Sequence, residues 1–271
     1  MNGGMMHRHG AAVCRTREDI CGRIIQGIGE NGTCCAAVDG FGTSAAALRL
    51  ALEELQGLQR GPFYRAAKRG MDIAVSLAAL ALLWPLMVGI AVVVRALDGG
   101  PALYRQRRLT LNGREFTILK FRSMRLDAEA DGIPRLAAEH DARITPVGRV
   151  LRAYRLDELP QLLNILRGDM SIVGPRPERP ELAAVYERSI PAFRLRLLAK
   201  AGLTGYAQVH GGYDAEPREK LRMDLIYISR PSILEDMRIM AETLPVLLAG
   251  EGTRGVKAQD AAGNYGRAHE A

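Results

Sequence analysis

From Ile73 to Val94 the chain runs for 22 residues without a charge, with Trp84-Pro85 near the middle. That length matches the roughly 20 apolar residues that carry an α-helix across a hydrocarbon core, and few soluble helices are so long and so apolar all round. The competing reading is a helix buried in a large soluble domain. Basic residues stand on both sides, Arg65, Lys68 and Arg69 before the segment and Arg95, Arg105, Arg107 and Arg108 after it. Positive charge therefore favours neither orientation, and both ends fit the cytoplasmic side. Pro85 removes one helix hydrogen bond and bends the axis, so a Pro-kinked re-entrant helix is expected, with a kinked ordinary span as the alternative.

The 271 residues are 48% hydrophobic and 5% aromatic, enough to bury a core, and the net charge is +7. Such an excess points to an anionic partner: nucleic acid, a phosphate-bearing substrate or an anionic membrane face. Cys14, Cys21, Cys34 and Cys35 match neither a disulfide framework nor a zinc spacing, and reduced thiols in a cytosolic segment are expected. The first 20 residues are polar and Gly-rich, unlike a cleavable secretory signal. Residues 1–43 lack apolar periodicity, and Ser44 is placed to cap an amphipathic helix to about Gln59, with Leu48, Leu52, Leu55 and Leu58 along one stripe. The expected organisation is a variable segment over 1–63, a main domain over 64–250 with its membrane helix at about 73–94, and a flexible tail over 251–271. There is no internal repeat.

After the apolar segment, Leu103 to Arg107 and Arg114 to Phe121 alternate in strand fashion around Asn112-Gly113, a type I′ hairpin signal. Seven basic residues and one acid lie between Tyr104 and Arg125, so an anion is expected near this hairpin. Ala142 to Leu156 holds four arginines and no acid, with Val150, Leu151 and Tyr154 between them, the pattern either of a basic amphipathic helix on a membrane surface or of a solvated basic face. Leu182 to Leu198 reads as helical, Gly202 to Gly212 as Gly-punctuated loop and strand. Ser232 with Glu235 gives a capping box for a last helix that Pro245 bends or ends.

Between these elements, residues 156–177 place the adjacent carboxylates Asp157 and Glu158 ahead of Gly174-Pro175-Arg176-Pro177. Asp157, followed by Pro160, reads as a helix N-cap, where the helix dipole would keep it ionised and partly exposed. An ordinary surface helix begins the same way, so the pair alone does not establish chemistry. Arg176 is held between two prolines with little backbone freedom, and its guanidinium suits forked hydrogen bonding to phosphate oxygens.

Taken in order, these motifs resemble the bacterial monotopic phosphoglycosyl transferases, which load the first sugar phosphate onto a polyprenyl phosphate carrier. The resemblance covers about residues 64 to 250. It rests on Lys68-Arg69 with Asp72, Tyr104-Arg105-Gln106-x-Arg108, Asn112-Gly113, Lys120-Phe121-Arg122-Ser123-Met124, Leu156-Asp157-Glu158-Leu159-Pro160-Gln161, Gly168-Asp169-Met170-Ser171, Gly174-Pro175-Arg176-Pro177 and Leu203-Thr204-Gly205-Tyr206-Ala207-Gln208-Val209.

The resemblance implies a mainly helical α+β fold: a monotopic protein of the bacterial inner membrane with a re-entrant helix, interfacial amphipathic helices and a small β-hairpin or sheet, its catalytic domain facing the cytoplasm. It also implies a Mg²⁺-dependent two-step transfer from a UDP-sugar to polyprenyl phosphate through a phosphosugar-aspartate, with release of UMP. By the same resemblance Asp157 is the nucleophile and Glu158 the metal ligand. Lys120, Arg122, Arg152 and Arg176 are the substrate-phosphate cations, and Asp236 matches an acidic site position in the final helix. Nucleic acid is not expected as a partner, and a homo-oligomer is left open.

The chain departs from the pattern at Trp84 before Pro85, at Thr110, at Ala201 and Tyr206, and over Val209-His210-Gly211-Gly212. These positions lie outside the carboxylate pair and leave the sugar open, as is the polymer served: exopolysaccharide, capsule, O-antigen or glycoprotein. Two other readings compete: a membrane-tethered basic binding protein and a catalytically silent scaffold. The first gives no reason for Asp157-Glu158 beside Arg176 and lacks the aromatic residues that nucleic-acid grooves interleave with basic ones. The intact carboxylate pair argues against the second.

Overall fold

The computed structural model describes residues 61–128, 141–211 and 216–248. The expected Ser44–Gln59 helix, the four cysteines and the tail lie outside the described residues.

The apolar segment belongs to a single helix, α1 (Pro62–Asp98, 37 residues), which starts with Pro62 in its first turn and continues through Pro85. At 1.5 Å per residue it is about 55 Å long. Among the described residues it is the one helix long and apolar enough to cross a membrane. Only a stripe of it is buried: Lys68, Asp72 and Ser76 toward the start, Ile90 and Val94 toward the end. The remaining surface exposes Leu77, Leu82, Trp84, Val88, Val92 and Leu97.

The stripe meets two apolar clusters of the main body. Ala79 and Leu80 pack on a cluster that includes Phe116, Ile165, Met170 and Ile239. Met87 and Ala91 pack on Ile90, Val94, Phe121 and Leu151. The helix thus lies along the body rather than projecting from it. Asp72 secures this arrangement, accepting from Ser171 Oγ and Ile172 N, both at 2.9 Å.

The expected hairpin is present. Strands β1 (Leu103–Leu109) and β2 (Glu115–Phe121) pair antiparallel, with Leu103 opposite Phe121 and Leu109 opposite Glu115. Asn112 (φ 59°) and Gly113 (φ 75°) form the tip, the two positive angles that a type I′ turn requires. Next comes α2 (Pro146–Ala153), whose Thr145 Oγ1 accepts from Gly148 N at 3.0 Å. This short helix is the basic amphipathic segment of the sequence, burying Leu151 and exposing Val150.

Helix α3 (Gln161–Arg167) stops at Gly168, whose φ of 89° an L side chain rarely adopts. The Arg69 guanidinium closes its end on the carbonyls of Ile165 and Leu166, each at 2.6 Å. Buried Asn164 joins α3 to the hairpin: Oδ1 accepts from Leu119 N at 3.0 Å and Nδ2 donates to Thr117 O at 2.8 Å.

Strands β3 (Ser171–Val173) and β4 (Gly202–Thr204) pair in parallel as a second small sheet. The expected continuous helix over 182–198 is instead α4 (Pro180–Ser189) followed by a 3₁₀ segment (Pro191–Leu198). Pro191 cannot donate to the preceding turn and disfavours helix in the residue before it. Helices α5 (Tyr206–His210), α6 (Pro217–Ser229) and α7 (Ile233–Leu248) complete the body. Ser232 Oγ caps α7 by accepting from Leu234 N, and Pro245 lies inside the helix without ending it. The result is a mainly helical α+β body with two two-stranded sheets among the described residues.

Candidate active site

Asp157 and Glu158 lie in a 3₁₀ turn (Leu156–Glu158) between α2 and α3, where Arg155 adopts a left-handed conformation (φ 53°, ψ 24°) and redirects the chain. Asp157 does not cap α3; Pro160 occupies the N-cap position. Nor is it partly exposed: both carboxylates are buried, each at 6% exposure. The reason is tertiary. Leu156 and Leu159, on either side of the pair, pack against the Phe121 and Leu151 cluster and draw the turn inward.

The two carboxylates are treated differently by their surroundings. Glu158 Oε1 accepts from Lys120 Nζ and from Arg176 Nη2, both at 2.7 Å. Burial pushes the Glu158 carboxyl up, but Arg176 and Lys120 outweigh it and hold the group well below the usual carboxylate range. Asp157 makes no hydrogen bond to another described residue. Burial raises its pKa, and the nearby charges of Lys120, Arg152 and Arg176 only partly offset that rise. The dipole-stabilised, easily ionised Asp157 that the sequence suggests is therefore replaced by a desolvated carboxylate facing cations without being paired to one.

Each cation reaches this point from a separate element. Lys120 comes from β2, and its ammonium pKa is lowered chiefly by burial. Arg152 lies in the last turn of α2. Arg176 rises from the loop after β3, which packs tightly on the start of β4: a Cβ on Gly174 would lie 2.2 Å from Lys200 O, and one on Gly202 2.2 Å from Gly174 N. The structure thus brings together Asp157, Glu158, Lys120, Arg152 and Arg176.

The other two sequence-selected residues are engaged elsewhere. Arg122 stands just past the end of β2, where Arg122 N pairs with Ala102 O, and its guanidinium donates to Gly99 O at the end of α1. Asp236 is fully buried, accepting from Lys68 Nζ at 2.9 Å, Tyr227 Oη at 2.8 Å and Tyr64 Oη at 3.2 Å. It fastens α1 to α7.

Sequence reasoning missed a buried ionic group beneath the Arg176 loop. Arg196, at 5% exposure, pairs with Asp224 and with Glu178. A signal was present in α6: Leu221, Asp224, Leu225 and Ile228 share one helical face, so Asp224 is a carboxylate on an otherwise apolar stripe.

The sequence pattern of the bacterial sugar transferase family matches residues 63–250, most of the chain and every residue of this cluster. This chain belongs to that family. A UDP-N-acetylgalactosamine-undecaprenyl-phosphate N-acetylgalactosaminephosphotransferase of Aeromonas hydrophila is 40% identical over 204 residues, covering 74% of this chain and 48% of that protein. A UDP-glucose:undecaprenyl-phosphate glucose-1-phosphate transferase of Xanthomonas campestris pv. campestris is 42% identical over 69% of this chain and 40% of its own. One of the same name from Caulobacter vibrioides is 41% identical over 69% of this chain and 73% of its own. The match thus spans about half or less of the first two relatives' length.

Proposed function

We propose that this family member transfers a sugar 1-phosphate from a UDP-sugar to a polyprenyl phosphate at the cytoplasmic face of the bacterial inner membrane. The observation that carries the reading is the buried Asp157 carboxylate, unpaired among the described residues, beside a Glu158 that Lys120 and Arg176 already neutralise. A carboxylate is a poor nucleophile toward a polyanion unless cations are arranged in advance. Lys120, Arg152 and Arg176 provide that arrangement without satisfying Asp157 itself.

An Asp157 oxygen attacks the β-phosphorus of the UDP-sugar. The bond from that phosphorus to the oxygen bridging the two phosphates breaks, and its electron pair leaves with UMP. An oxygen of the polyprenyl phosphate then attacks the same phosphorus, and the aspartate departs with the electrons of its own bond. The sugar C1–O bond never breaks, so the anomeric configuration is retained. Arg176 and Lys120 hold Glu158 in place and lower the charge repulsion that the incoming diphosphate meets, while Arg122 and Asp236 serve the framework.

No group of three or more His, Cys, Asp or Glu side chains at metal-binding spacing occurs among the described residues. The donor set fits Mg²⁺ as a substrate-borne ion, which needs only one or two carboxylates beside phosphate oxygens. Glu158, with one oxygen engaged by Lys120 and Arg176, would hold it together with Asp157, and when bound it would neutralise phosphate charge.

The packing of α1 along the body supports membrane attachment from one side. Both ends of the buried stripe rest on the same body, so a helix crossing the bilayer would carry that body and its charged groups into the hydrocarbon. Re-entry from the cytoplasmic face avoids this cost.

The test is UMP release and lipid-linked product formation from UDP-glucose, UDP-galactose and their N-acetylated forms with undecaprenyl phosphate. One of these sugars is expected to turn over with retained configuration, and Asp157→Ala to abolish both products. Undiminished UMP release by Asp157→Ala, or an inverted product, would overturn the mechanism.

A further inference from the structure

We propose that Arg196 is a positioning residue for Arg176: from beneath the loop it fixes the backbone that aims the Arg176 guanidinium at Glu158 and at the substrate diphosphate. This inference rests on the transfer reaction proposed above.

The loop after β3 is held carbonyl by carbonyl. Pro175 O accepts from Gly202 N at 2.8 Å, Arg176 O from Arg196 Nη2 at 3.0 Å, Pro177 O from Arg108 Nη1 at 3.2 Å, and Glu178 O from Leu109 N at 3.0 Å. Four successive carbonyls are therefore satisfied by donors from three different segments. Gly174, Pro175 and Pro177 are buried, so these carbonyls need partners inside the protein, and the partners they find fix the backbone on either side of Arg176.

Within this set Arg196 does the most. Its Nη2 holds the Arg176 carbonyl, its Nη1 reaches Glu178 Oε1 at 3.4 Å, and its Nε is gripped by Asp224. Its guanidinium carbon also lies 4.7 Å from the centre of the Phe193 ring. The fork is thus oriented by a carboxylate and a ring before it touches the loop. Lysine, with a single ammonium, cannot reproduce three donors in one plane. The Arg176 side chain, 40% exposed, donates through Nη2 to Glu158 Oε1 at 2.7 Å, and it starts from the same backbone that Arg196 holds at the carbonyl. A displacement of about 1 Å in a charge-neutralising group can cost on the order of 10²-fold in rate.

The experiment is a double-mutant cycle on the full chain in membranes, following lipid-linked product. Arg196→Lys should lower kcat/KM by about 10- to 100-fold. In an Arg176→Lys background, which keeps a cation and a measurable rate, the same change should cost less than about 2-fold, because the planar guanidinium whose aim depends on the backbone is replaced by a flexible ammonium. Asp224→Asn, which keeps the volume but loosens the Arg196 fork, should give a smaller loss that also disappears in that background. It carries the test if Arg196→Lys does not fold. Equal losses in both backgrounds, or no loss from Arg196→Lys in a folded protein, would overturn the positioning role. If the wild-type chain forms no lipid-linked product from any UDP-sugar, it is the reaction that fails, and the two failures are distinguished.

Discussion

Burial and charge act in opposite directions on two neighbouring carboxylates. Burial raises the pKa of Asp157, and in the proposed mechanism this carboxyl must ionise to act, so the acid limb of kcat/KM should lie above the ordinary aspartate value of about 4. Removing a neighbouring cation leaves the anion less stabilised and raises the pKa further. Arg176→Gln should therefore move that limb to higher pH, and a limb that stayed in place would contradict the arrangement. Asp157→Asn should abolish turnover yet raise the melting temperature at pH 7, since it deletes a charge whose burial the fold resists. Glu158 has the opposite linkage. Its folded-state pKa is depressed, so its contribution is present above the unfolded value of about 4.3 and lost as pH falls through the folded one. The melting-temperature deficit of Glu158→Gln should accordingly be large at pH 7 and shrink on acidification toward pH 3.

At the scale of elements, buried side chains make backbone contacts that strands and helices cannot make for themselves. Asn164→Ala would leave Leu119 N–H and Thr117 C=O without partners inside the junction of α3 and β2. The expected loss is about 2–4 kcal/mol, read from the unfolding midpoint, with activity falling in proportion to the folded fraction. What the sequence revealed divides along the same line. Asn112-Gly113, the apolar run of α1 and the extended loop around Arg176 are local, encoded by turn chemistry, composition and proline, and all were legible. The position of Asp157 was not, because Leu156 and Leu159 draw the turn into a core whose other members come from α1, β2 and α2. Arg196 and Asp224 stand 28 positions apart, and no local pattern joins them. Pro191 was legible and should have divided the helix expected over 182–198.

For the whole molecule, the packing of α1 along the body sets how the protein meets a bilayer. With the native cysteines replaced by serine, single cysteines at Arg65 and Gly100, near the two ends of α1, should both label from the cytoplasmic side in sealed inverted vesicles. Labelling from opposite faces would eliminate re-entry. Asp72 carries the matter further. Because that carboxylate is the acceptor for Ser171 Oγ and Ile172 N, the membrane helix supplies part of the hydrogen bonding of β3. The anchor is therefore not a modular tether. A chimera carrying an unrelated transmembrane helix of equal length would reach the membrane with the body around β3 misassembled, and a soluble version made by deleting α1 would lose the fold along with the attachment.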